Sequence, residues 1–263
     1  MSADDPISAL QALNDSDERQ QSPIRRFAKP FLESLKLFSD SESQFTLSAF
    51  SIAVDWINRQ QTENHAELLK ELAAELKYRG AQIESLRKGN EEHCKFVADE
   101  LPGLVLDGIR RAEGIRSKGR IKRLARILVR AAEVGPLGSA DYAEEMLRIA
   151  TELEDRDVLV LREIVQVQGP RMQKDLGRVK HFEAHSVFGG ILGSLKTTGL
   201  LQGQVDSICA KLESFGLVSR TERNVNLIAN DPTPYALLQK GLDFVDYLKS
   251  ADDLRTTGAV SDL

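Results

Sequence analysis

Apolar side chains recur at helical spacing along most of the chain. Phe50, Val54, Ile57, Leu68, Leu72, Leu76, Ile83, Leu86, Cys94, Val97 and Leu101 fall on one stripe in steps of three or four, with Gln61, His65, Arg79 and Asn90 filling its gaps. One or two long helices over 44–101 are predicted, and an unbroken one would reach on the order of 85 Å at ~1.5 Å per residue. Gly80 and Gly89 are the places where a break costs least, since each weakens a helix by roughly 1 kcal/mol relative to Ala. A single-faced stripe of that length buries against another long helix, from the same chain or from a second copy. Pro102 and Gly103 predict a turn, after which 104–133 runs back along the first helix as a hairpin. Within the returning arm, Ser117 is the expected cap, Ile121, Leu124, Ala125, Leu128 and Ala132 form the core face, and Gly135, Pro136 and Gly138 close it.

Shorter elements follow. Ser139 or Asp141 opens a helix with Tyr142, Met146, Ile149 and Leu153 inside, and Asp155 or Asp157 opens another carrying Val158, Leu161 and Ile164. Gly169 and Pro170 are expected to end that one. A charged stretch to Lys180 leads to an amphipathic helix over 187–195. Val205, Ile208, Cys209, Leu212 and Phe215 then mark a helix that stops at Gly216, where a left-handed residue is needed. Leu217 and Val218 read as a short strand, 230–234 as an Asn/Asp/Pro-rich tip, and 235–238 as the returning strand of a hairpin. A last helix begins near Gln239 and buries Leu242, Phe244, Val245 and Leu248. At the other end, 1–22 is polar and acidic and is expected to be a disordered arm, and 24–38 is a short amphipathic piece with Phe27, Phe31, Leu35 and Phe38 on one side.

Taken together, 157–168, 186–195 and 204–215 as three helices and 217–238 as a hairpin resemble a winged helix-turn-helix domain. The run YALLQKGLDFVDYL is similar to the Leu, Gly and aromatic spacing with which many bacterial winged helices close the wing and enter a final helix. The preceding hairpin, RIKRLARILVRAAE and ADYAEEMLRIATELEDRDVLVLREI, is similar to a layout found among uncharacterised bacterial helical proteins, which carries no assigned activity. The expected fold is therefore mainly α: a disordered arm over 1–22, a long helical hairpin or bundle over 23–138, a winged-helix-like domain with a small β-hairpin over 139–250, and a flexible tail over 251–263. The charged stretch 168–185 departs from a compact DNA-binding module by loosening the link between the first two helices.

Composition sharpens this picture. The 263 residues, 41% hydrophobic and 29% charged, are enough for one large or two modest domains. Two distant cysteines, Cys94 and Cys209, disfavour a disulfide framework and fit a reducing cytoplasm. The start MSADDPIS lacks the basic and apolar regions of a secretory leader, and no run has the roughly 18 apolar residues that span a bilayer. Formal charge is −5, yet 110–130 holds nine Lys/Arg against one acidic residue, so the rest of the chain carries about −13 once that +8 is removed.

Lys122, Arg123, Arg126 and Arg130 lie opposite the apolar face of their helix and are expected to be exposed together. They are the first candidates for a phosphate backbone, and pairing with the acidic helix 141–154 is the competing expectation. No aromatic residues interleave them to stack bases. In the winged-helix region, Lys211 on the third helix and Arg220 and Arg223 on the wing complete the candidate nucleic-acid set. That third helix is a poor reader. Its polar positions Gln204, Asp206, Ser207, Lys211, Glu213 and Ser214 sum to −1, where major-groove recognition calls for cations and amides.

Nothing in the chain assembles a catalytic or metal-binding constellation. His181 and His185 share a helix face at i, i+4 but lack the adjacent Glu of a zinc-protease helix and a third ligand. His93 and Cys94 are neighbours that point about 100° apart on a helix. Gly189, Gly190 and Gly193 precede Ser194 and Lys196 without the spacing of a phosphate loop. The expectation is a non-enzymatic cytoplasmic protein without cofactors, which self-associates or binds a helical partner and uses the winged helix as a contact module. A DNA-binding regulator is the first alternative, and an effector acting at membranes through amphipathic helices is a remote one.

Overall fold

The computed structural model describes residues 63–88, 90–135, 139–175, 199–220 and 235–249. The polar arm and 24–38, the start of the long stripe, the helix over 187–195, His181, His185, the glycines at 189–193, Arg223, the wing tip and the tail lie outside the described residues. What is described is mainly α-helical, with one two-stranded antiparallel hairpin. The chain separates into two compact units, Met1–Glu152 with Lys249–Leu263, and Leu153–Leu248.

In the first unit α1 spans Glu63–Arg87. Asn90 caps α2 (Glu91–Lys95) by accepting from the His93 N–H at 3.0 Å. A π-helical turn, Phe96–Glu100, follows and runs directly into α3 (Leu101–Glu113). The expected turn at Pro102 and Gly103 is thus absent. Pro102 has no N–H to give to the preceding turn, and the wider winding absorbs this by passing the Leu101 N–H to the Phe96 carbonyl, so the helix continues through the proline.

Ser117 caps α4 (Lys118–Val134), accepting from the Arg120 N–H at 3.4 Å, and Gly135 at φ +62° ends it. Ser139 then caps α5 (Ala140–Glu152) by accepting from the Tyr142 N–H. The stripe Ala66, Leu68, Leu69, Leu72, Leu76 and Ile83 of α1 is buried within the chain, with α4 as its main partner and α3 beside it. Glu71 meets Lys122, Glu75 meets Arg126, and Arg79 meets Glu133, so α4 runs parallel to α1. The arm that runs back is α3, because Asn64 at the start of α1 lies against the carbonyls of Ala112, Glu113 and Ile115 at its end. Helix α5 was expected to belong with the second domain. It buries Ala143, Met146, Leu147, Ile149 and Ala150 against α3 and α4, so the division falls after Glu152 and not at Gly138.

In the second unit, α6 spans Asp155–Asp175 and carries Pro170 inside it, past the point where Gly169 and Pro170 were expected to stop it. Helix α7 (Gln202–Ser214) ends at Gly216, φ +68°. Strands β1 (Val218–Arg220) and β2 (Tyr235–Leu237) pair antiparallel in the register Val218 with Leu237 and Arg220 with Tyr235. Helix α8 (Gln239–Tyr247) closes the unit, with Phe244, Val245 and Leu248 buried. Among the described residues, a helix side chain takes the outer edge of β2. Gln168 of α6 donates to the Tyr235 carbonyl at 3.0 Å and accepts from the Leu237 N–H at 2.7 Å, which satisfies the outer edge of β2.

Candidate interaction surfaces

The basic face of α4 runs along α1. Lys122 pairs with Glu71 at 3.3 Å, Arg126 with Glu75 at 3.4 Å, and Arg130 with Glu133 at 2.8 Å. Arg79, 3% exposed, ties the row together by reaching Glu133 at 2.5 Å and Glu75 at 3.7 Å. Arg123 is buried, which corrects the expectation that the four cations are exposed together. Lys122 and Arg126 meet carboxylates of α1 and Arg130 meets Glu133, where pairing with 141–154 was the competing expectation. The wheel puts 122, 126 and 130 opposite the Ile121/Leu124/Leu128 stripe, but α1 packs along that side of α4, so Arg126 and Arg130 are partly covered while Lys122 stays exposed.

Cations of the second unit are similarly occupied. Lys211 reaches Asp157 at 2.7 Å, and that carboxylate also accepts from the Glu154 N–H at 2.8 Å, joining α7 to the start of α6. Arg220 sits 3.7 Å from Glu213 and lies over the Tyr235 ring, 5.9 Å from its centroid. Its guanidinium is held above its ordinary pKa by the Tyr235 hydroxyl first and by Glu213 next. Burial pushes Tyr235 up, partly offset by Arg220. The structure thus brings Arg220 together with Lys211's helix, while Lys122, Arg126 and Arg130 form a separate row in the other unit.

One outward side of α7 is small and uncharged. Gly203, Ser207, Ala210 and Ser214 are exposed and recur in steps of four, three and four, so they lie on one side. Leu201, at the head of this helix, is 71% exposed. Its N–H is taken by the Gln204 side chain at 3.0 Å, and leucine offers no acceptor in return, so only half of a reciprocal cap forms. Sequence reasoning scored this helix for charge and passed over the small-residue face, which was legible from the same spacing.

A groove of about 330 Å³ beside α7 is lined by Glu154, Arg156, Asp157, Leu200, Gln204 and Ile208 among others. Its buried carboxylate is engaged by Lys211 and its amide by Leu201. Cys209 is fully buried, and its thiol is pushed up to about 12 by burial, with Asp206 and Glu213 adding to the effect, so it stays protonated at neutral pH. His93 is buried, and its Nε2 lies 2.8 Å from the Ala132 carbonyl, an acceptor only, so that nitrogen carries the proton. Among the described residues no group of His, Cys, Asp and Glu is placed to hold a metal ion, and no helix is long and apolar enough to cross a membrane. No protein-family model matches the chain, and no solved structure matches it.

Proposed function

We propose that this is a non-enzymatic interaction protein, in which the Leu153–Leu248 unit is a winged-helix-like contact module that associates with a second copy through the outward side of α7. The supporting observation is the exposed row Gly203, Ser207, Ala210 and Ser214 next to Leu201. A face without bulky or charged side chains lets another helix approach closely, and it offers no cation to a phosphate. The order α6, α7, hairpin, α8 supports the winged-helix likeness. The reading of DNA through Lys122, Arg126, Arg130 and Lys211 is disfavoured because each would have to leave a carboxylate first.

Disulfide trapping tests this. In a Cys94→Ser background, which removes the exposed thiol and leaves the inert Cys209, an Ala210→Cys chain is expected to form a dimer under mild oxidation at tens of micromolar. A Cys at Lys77, on the exposed side of α1, is expected not to. Equal trapping at both positions, or none at 210, would overturn the proposal.

A further inference from the structure

Of the nine Lys/Arg in 110–130, six are drawn into the fold. Arg111 pairs with Asp107 and Glu144, Arg120 donates to the Thr151 carbonyl, Arg123 is buried, and Lys122, Arg126 and Arg130 hold carboxylates. The other three are Arg110 in the last turn of α3, Arg116 in the connection, and Lys118 at the first position of α4. All three are exposed, and none of the ion pairs or side-chain hydrogen bonds among the described residues engages them. They sit within nine residues at a corner held in shape by Asn64, which donates to the Ala112, Glu113 and Ile115 carbonyls, and by the Arg120–Thr151 bond.

We infer that this α3–α4 corner is a docking surface for the phosphate backbone of a nucleic acid, bound without regard to sequence. Cations that give up no internal partner on binding contribute their full counterion release, unlike those of the α4 face. The corner has no apolar wedge for a bilayer. Ile115 is buried, and the exposed large apolar residues among those described, Tyr78, Leu86, Leu201 and Leu238, lie elsewhere in the sequence, so a membrane surface is the poorer fit. The exposed carboxylates Glu63 and Glu113 at the same corner and the net charge of −5 oppose the contact, which makes it weak and strongly salt-limited. With three phosphates engaged, log K is expected to fall with log salt at a slope of about −2.7, or roughly 40-fold between 50 and 200 mM salt.

The test is fluorescence anisotropy of a labelled mixed-sequence DNA duplex with the full chain over that salt range. The triple variant Arg110→Glu, Arg116→Glu, Lys118→Glu is expected to abolish binding at 50 mM salt. A charge-matched variant at the exposed positions Lys77, Arg156 and Arg162 is expected to keep at least a third of the wild-type affinity. Circular dichroism and urea midpoints verify that each variant folds. Absence of wild-type binding at 50 mM salt would overturn the inference, as would equal loss in both triple variants or binding to phosphatidylserine vesicles without binding to DNA. The α7 disulfide trap reads a different unit and is independent of this result.

Discussion

The side chains that most constrain the fold are those with nowhere to go. Gly241 in the first turn of α8 approaches the chain at Leu217 so closely that a Cβ would fall 2.2 Å from the Leu217 carbonyl oxygen, which is backbone and cannot swing aside. Gly241→Ala is expected to cost about 1–3 kcal/mol in urea denaturation, whereas Gly103→Ala, in open space on α3, should gain up to about 1 kcal/mol. His65 supplies a second prediction. It is fully buried on α1, and burial holds its pKa below the ordinary 6.5, with Glu113 and the Ile109 backbone partly offsetting. The unfolded chain therefore binds this proton first, so the contribution is complete above pH 6.5 and is lost as pH falls below it, at no more than about 1.4 kcal/mol per pH unit. The stability of His65→Leu should fall less between pH 7 and 5 than that of the wild type. Equal slopes would show that His65 is not kept neutral in the fold.

At the scale of elements, the caps were the most legible part of the sequence. Ser117, Gly135, Ser139 and Gly216 act where their residue types predict, because a cap is decided by a few neighbouring atoms. The two prolines misled for the opposite reason. Pro102 is absorbed by a π turn, and Pro170 lies just beyond Gln168, which is held by β2, a support that is not local in sequence. The direction of α4 was equally hidden, since it depends on which carboxylates of α1 meet Lys122 and Arg126. Gln168 shows what such a non-local support does. Gln168→Leu leaves the Tyr235 carbonyl and Leu237 N–H buried without it and should cost about 2–6 kcal/mol, at about 1–3 for each group. Gln168→Glu loses only the donor, and its deficit should shrink in acid as the carboxyl regains a proton to give. A deficit independent of pH would mean that the amide does not bridge the strand edge.

Across the whole molecule, charge is spent differently from the way its distribution along the sequence suggests. The segregated basic segment is real, but two-thirds of its cations are engaged within the first unit, pairing along α3 and α4 and joining them to α1 and α5, so a stretch that reads as a ligand surface is mostly an internal seam. The described part of the long stripe, Ala66 to Ile83, is buried inside the chain against α4 and α3, and the proposed self-association is therefore placed on α7 instead of α1. Sequence reasoning found the helical class, the β-hairpin and the last helix because their signals are periodic or local, and it misplaced the turn of the helical hairpin. It found neither the unit boundary after Glu152 nor the unspent corner, because both depend on which helices meet. Sedimentation equilibrium of the full chain beside Ala210→Arg tests the central claim most directly. A reversible wild-type dimer at tens of micromolar with a folded, monomeric Ala210→Arg is the predicted result, and a wild type that stays monomeric, or a variant that still dimerises, would contradict it.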